Sequence, residues 1–140
     1  RQMCIRDRRE GVESLVERSR QAGMNVEVRY QAGAGPQSLE ELSTMAGHAL
    51  NRVVQEGLTN ARKHAPGQPV TITIATLADA LSITMSNPTA QAKEKGSGNS
   101  GGYGIVGMRE RASVVGGSLQ VNDEDERFSW TLRLPRKEVQ

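Results

Sequence analysis

Four side chains with complementary chemistry recur along one short stretch of the chain: Glu56, Asn60, Lys63 and His64. At about 100° per residue of α-helix they gather in one arc of roughly 100°, on successive turns of one face. A carboxylate, a carboxamide, an ammonium and an imidazole so placed suit a phosphate compound with its divalent cation. Oxygen donors match Mg²⁺, and a lysine neutralises phosphate charge. The same spacing also describes an ordinary solvated helix face with i,i+4 polar pairs. A second stretch points to phosphate too. Gly102-Tyr103-Gly104-Ile105-Val106-Gly107 matches Gly-x-Gly-x-x-Gly and opens a helical pattern. Glycines there let backbone amides approach a phosphate at the positive end of the helix dipole. A dinucleotide-binding unit is not implied, because a loop rather than a strand precedes the motif and the strands after it read as a hairpin.

These residues need elements to hold them. Apolar Leu50, Val54, Leu58, Ala61 and Ala65 recur every three or four positions, a stripe that must face a sheet and so aims the polar arc away from it. The helix is expected to start at Ser38, with Glu41 completing a capping box, and to run to about His64 before Pro66-Gly67 ends it. Ahead of it, Arg8 to Ala22 reads as a short amphipathic helix stopped by Gly23, and Met24 to Gln31 as a strand with one wet face. Val70 to Leu77 and Ala80 to Ser86 read as a hairpin. Asn87 to Gly102 has no apolar periodicity and is rich in glycine, the signature of a long functional or disordered loop. A helix over Ile105 to Val115, closed by Gly116-Gly117, leads to strands at Ser118 to Asn122 and Arg127 to Leu134. The order is that of an α+β two-layer sandwich, a mixed sheet with its helices gathered on one face.

Composition removes several other classes of function. A chain of 140 residues is one domain with one core. Aromatics are only 3%, too few to build stacking platforms for single-stranded nucleic acid. The 18 basic and 16 acidic residues are interspersed, so neither a nucleic-acid stripe nor a membrane-surface helix is indicated. Cys4 is the one cysteine, which excludes an internal disulfide and a multi-thiolate zinc site. No apolar run approaches the roughly 18 residues of a membrane span, and the segment is expected to work in the cytoplasm. Met3-Cys4-Ile5-Arg6-Asp7 resembles the read-through of a transposon end used to prepare DNA libraries. Residues 1–7 are therefore set aside from the fold, and the natural gene is expected to continue upstream of Arg8.

The stretch from Val53 to Ala65, VVQEGLTNARKHA, resembles the N box of the GHKL, or Bergerat-fold, ATPases. GYGIVGMRER from Gly102 to Arg111, followed by Gly116-Gly117, resembles their second glycine box. The wording of both is similar to the ATP-binding domain of bacterial sensor histidine kinases that partner helix-turn-helix response regulators. The likeness covers about Arg8 to Pro135. It implies a Bergerat-fold sandwich with an ATP lid between the two motifs, and Mg²⁺ and ATP as cofactors. The implied parts are a helix over 8–22 joining an absent dimerisation domain, an ATP-binding domain over 23–136 and a tail over 137–140. By the resemblance Asn60 coordinates Mg²⁺, Lys63 and His64 contact phosphate, and Glu56 orients or deprotonates the attacking group. Gly102, Gly104 and Gly107, with Ile105 and Met108 beside them, wrap the nucleotide. The implied partner is a histidine-bearing dimerisation domain in a homodimer, with a response regulator downstream. Neither nucleic acid nor membrane is an expected partner of this segment.

Two departures from the family pattern stand out. Where the first glycine box carries an aspartate that accepts from the adenine amino group, this chain has Asn87 in Met85-Ser86-Asn87-Pro88-Thr89. Losing the charge weakens such a hydrogen bond by about 1 kcal/mol, and a carboxamide still pairs with an adenine edge. The histidines are His48 and His64, and neither lies in the acidic His-Asp helix signature of a phospho-acceptor. An anti-sigma-factor-type serine kinase and a catalytically degenerate nucleotide-binding module are the alternatives. The GMRER helix and the leading helix favour the histidine kinase.

Overall fold

The computed structural model describes residues 11–89 and 104–137. Its elements are α1 (Gly11–Gln21), β1 (Val26–Gln31), a 3₁₀ turn (Pro36–Glu41), α2 (Thr44–His64), β2 (Val70–Thr76), β3 (Ala80–Pro88), α3 (Ile105–Val114), β4 (Ser118–Glu124) and β5 (Arg127–Pro135). The strands form a five-stranded sheet in the order β1-β2-β3-β5-β4. It is mixed: β1 runs parallel to β2, and the other three pairings are antiparallel. The α+β sandwich expected from the element order is the architecture observed.

Alternation along the strands sorts the sheet into two faces. Register places Ile72 opposite Met85, Met85 opposite Trp130, Ile83 opposite Leu132 and Leu81 opposite Leu134. All of these are buried, and α2 packs over them with Leu50, Val53, Val54 and Leu58. The opposite face carries threonine and serine, and the Thr84 and Thr131 hydroxyls hydrogen-bond across β3 and β5 at 2.9 Å. Polar β-branched residues suit a solvated sheet face, which fixes the face that the helices cover. Helix α1 joins the same core through Val12 and Val16.

The start of α2 corrects the expected capping box. Ser38 does not cap a long helix; its hydroxyl accepts from the Gly35 amide at 2.9 Å inside the 3₁₀ turn, which begins on Pro36. Leu42 then takes an extended backbone and is buried, which interrupts any helix running through it. Ser43 is the true cap, its Oγ accepting from the Ala46 amide at 3.1 Å. Three strands run further than expected: β4 extends to Glu124, β5 to Pro135, and β3 by two residues. β3 continues through Asn87 and Pro88, which pair with Phe128 and Arg127, so Asn87 is a strand residue rather than the start of a loop. At the far end of α3, the Gly117 amide donates to the Ala112 carbonyl and the Gly116 amide to that of Ser113. Gly116 has φ +82°, so this is a Schellman motif, and it turns the chain into β4. The expected lid over 90–103 and the suspected extension over 1–7 lie outside the described residues.

Candidate functional site

The polar arc of α2 forms one wall of a cavity of about 420 Å³ lined by Arg52, Gln55, Glu56, Thr59, Asn60, Lys63 and Gly104. Three of the four side chains singled out from spacing, Glu56, Asn60 and Lys63, therefore meet in one hollow. The helix positions them rigidly because its other side is locked: Val53 and Val54 are fully buried and Leu58 and Ala61 nearly so. Asn60 itself is only 9% exposed, at the border between the core and the cavity. His64, in the last turn, is exposed and does not line this space. With Arg62 and Lys63 it forms a basic last turn, which complements the negative end of the helix.

The opposite wall is the start of α3. Gly104 has φ +66°, a left-handed conformation that favours glycine, and it sits at the N-cap with no side chain capping the helix among the described residues. The helix thus begins at the cavity, and its first amides have no side-chain acceptor among the described residues, a combination that suits an anion. Gly102 lies outside the described residues. Gly107 does not line the cavity; it sits within α3, where a Cβ would come 2.9 Å from Nη1 of Arg111. Ile105 and Met108 are core residues, 3% and 0% exposed. The Met108 amide already donates to the Gly104 carbonyl at 3.2 Å. The Met108 side chain thus packs in the core, and its N–H is used within the helix. Ile105 retains only its backbone for a ligand.

Among the described residues, Glu56 is held on one side only. Its Oε2 lies 3.2 Å from Nη2 of Arg111 on α3. Its Oε1 is buried and has no hydrogen-bond partner among the described residues. A buried carboxylate oxygen without a donor is costly, and Glu56 lines the same cavity as Asn60, where a bound cation or donor would satisfy it. No group of three or more His, Cys, Asp or Glu among the described residues forms a ready metal cluster. Glu56 and Asn60, with Gln55 and Thr59 on the same wall, offer oxygen donors that suit a hard cation.

Asn87 stands apart from this cavity. It faces the helical layer from β3, is 6% exposed, and its amide nitrogen donates to the Pro88 carbonyl at 3.1 Å. Sequence reasoning missed Arg52, Gln55 and Thr59 as lining residues. Arg52 and Gln55 were legible in principle, since Arg52 lies one turn before Glu56 and Gln55 one turn before Thr59 on the same helix. No helix among the described residues is long and apolar enough to cross a membrane.

Comparison with known proteins gives the family and agrees with the fold. The sequence profile of the histidine kinase-, DNA gyrase B- and HSP90-like ATPases matches residues 46–138. The sensor histidine kinases LnrJ and DesK of Bacillus subtilis (strain 168) are 33% identical over 84 residues and 31% identical over 86 residues. Those alignments take in 57% and 61% of this chain but 19% and 23% of the relatives, so the chain spans about a fifth of their length. Among solved structures, the catalytic domain of histidine kinase ThkA superposes with TM-score 0.62 at 12% identity, covering 94% of this chain and 92% of that one. The Acinetobacter baumannii histidine kinase AdeS gives TM-score 0.59 at 10% identity, over 92% and 62% of the two chains. At such identities the likeness establishes the fold.

Proposed function

The chain belongs to the histidine kinase-, DNA gyrase B- and HSP90-like ATPase family and is a nucleotide-binding domain, and on that premise we propose that it is the ATP-binding catalytic domain of a sensor histidine kinase. In this reading it holds Mg-ATP and presents the γ-phosphoryl group to a histidine on a dimerisation domain of a longer chain. That chain works as a homodimer on the cytoplasmic side and passes the phosphoryl group to a response regulator. Residues 1–7 are read as an extension foreign to the gene, and α1 as the helix by which the dimerisation domain joins. One observation carries the reading: Glu56, Asn60, Lys63 and Gly104 converge on a single cavity, and a buried Glu56 oxygen has no partner among the described residues.

The residues fit the cation that such chemistry needs. Asn60 supplies a neutral oxygen donor for Mg²⁺, with Glu56 beside it, and the bound ion would neutralise charge on the phosphate oxygens. Lys63 binds phosphate as a point charge, and His64 stands further out along the same helix as a second contact. The start of α3 at Gly104 and Ile105 offers amides to the same phosphates, with Gly102 and Gly107 belonging to the same wrap. The Asn87 oxygen accepts from the adenine amino group. Glu56 orients the attacking group. Little covalent chemistry is left to the protein, so the rate comes from positioning and charge neutralisation.

The test is calorimetric and chemical. The chain should bind ATP in the presence of Mg²⁺, and Asn60→Ala should remove the dependence on Mg²⁺. Mixed with a histidine-bearing dimerisation domain from a related sensor kinase and labelled ATP, it should yield an acid-labile phosphohistidine. Acid-stable phosphoserine on a protein partner would favour the serine-kinase reading, and ATP binding without any transfer the degenerate module.

A further inference from the structure

Arg111 is two turns into α3, and its side chain lies back along the helix toward the N-terminus, the direction helical side chains take. That path runs over Gly107, one turn earlier, where any Cβ would come 2.9 Å from Nη1. The guanidinium ends 3.2 Å from Oε2 of Glu56 on the neighbouring helix. Both side chains are about two-thirds buried, with 29% and 34% of their surfaces exposed. The other oxygen, Oε1, is buried without a partner among the described residues, and an added Cβ at Gly104 would stand 4.0 Å from it. One carboxylate is thus engaged on one side and left open on the other, toward the glycine that starts α3.

We propose that Arg111 is a positioning residue for Glu56, and that Gly107 is glycine in order to give the Arg111 guanidinium its path. The inference rests on the reading of the cavity as the site for Mg-ATP and adds a residue to it. A lone carboxylate on the wall of a triphosphate site repels the ligand, since two unit charges several ångströms apart interact appreciably wherever water is partly excluded. Arg111 offsets that charge and fixes the rotamer, so that Oε1 is the oxygen presented to the ligand. It also couples the glycine-rich start of α3 to Glu56, because both the helix start and the guanidinium move with one helix.

A double-mutant cycle on the 140-residue chain tests this, with Mg-ATP affinity measured by calorimetry and thermal unfolding recorded for every variant. Arg111→Met should weaken Mg-ATP binding about tenfold in the otherwise unchanged chain and less than about twofold in the Glu56→Gln background, where there is no charge to offset. Arg111→Lys should recover most of the affinity, though not all, because an ammonium does not share the planar fork of a guanidinium. Gly107→Ala displaces the guanidinium by a second route, so it should also weaken binding, and by less when Glu56 is already glutamine. The same loss in both backgrounds would mean that Arg111 acts on phosphate or on the fold, and would overturn the inference while leaving nucleotide binding intact. Should Arg111→Met unfold, the Gly107→Ala pair decides in the same way. Failure of the unaltered chain to bind Mg-ATP at all is a distinct result, which overturns the reading of the site and this inference with it.

Discussion

Gly57 lies between Glu56 and Leu58 on α2 and turns its Cα directly onto the sheet. A Cβ built there would be 2.7 Å from Cζ2 of Trp130, 2.9 Å from Nε1 of the same ring and 2.9 Å from Sδ of Met85. Those two residues are cross-strand partners and each is 2% exposed, so neither can swing into open space. Replacing a mid-helix glycine with alanine ordinarily stabilises by about 1 kcal/mol. Forcing a methyl group into a closed core costs about 1–3 kcal/mol, and three contacts under 3.0 Å with an immobile indole and thioether put this site near the upper end. Gly57→Ala should therefore destabilise by about 2 kcal/mol, the opposite sign from helix propensity. For a domain of this size that lowers the unfolding midpoint by about 8 °C, read by circular dichroism at 222 nm. Trp130→Phe opens a gap at the same place, and its cost should shrink by about 1 kcal/mol when combined with Gly57→Ala. A Gly57→Ala chain that melts at a higher temperature than the parent would refute the packing argument.

Asn87→Asp restores a charged acceptor on β3 and should tighten ATP binding about fivefold while leaving GTP unaffected; equal affinity for ATP and GTP in the parent chain would sink the adenine assignment. Burial, and secondarily Glu13, raise the Tyr30 phenol above its ordinary pKa. The folded state then holds that proton longer than the unfolded state. Its contribution to stability is present below pH about 10 and is lost as pH rises through the folded pKa, and Tyr30→Phe should flatten that alkaline decline in urea titrations. Alone with labelled ATP and Mg²⁺, the chain should not phosphorylate itself. His48 is an exposed residue near the start of α2 and His64 ends that helix, and acid-labile label on either would contradict the need for a separate acceptor domain.

Much of the site was legible because a helix converts spacing into direction. Glu56, Asn60 and Lys63 could be placed on one face from residue numbers alone, and the apolar stripe said which way that face must point. The glycine motif marked the start of α3 for a local reason, the left-handed backbone at Gly104. What escaped depended on partners far away in sequence. Nothing around Arg111 announces that it reaches Glu56, because the contact exists only once α3 packs on α2. Ser38 with Glu41 reads as a capping box, but the helix is capped by Ser43. The burial of Leu42 in an extended conformation decided for Ser43. Asn87 looked like loop sequence because Pro88 follows it, yet a strand end tolerates that proline beside Arg127.

The same helix carries the centre of the core and one wall of the cavity, and this links stability to function more closely than a loop-built site would. Between Val53 and Ala61 the residues that pin α2 to the sheet alternate with those that line the cavity, so no shift of the helix can move one set without the other. The second wall is set by one helix: Met108 and Ala112 fasten α3 into the core, while Gly104 and Arg111 face Glu56. The position of α3 in the core therefore sets both the helix start at Gly104 and the counter-charge for Glu56. A substitution that loosens α3 in the core, such as Met108→Ala, should weaken Mg-ATP binding although its side chain touches no part of the cavity. The loss of a fully buried methionine costs about 2–5 kcal/mol, so binding and unfolding should be measured below the new melting point. Unchanged affinity in a folded Met108→Ala chain would show that the two walls are set independently.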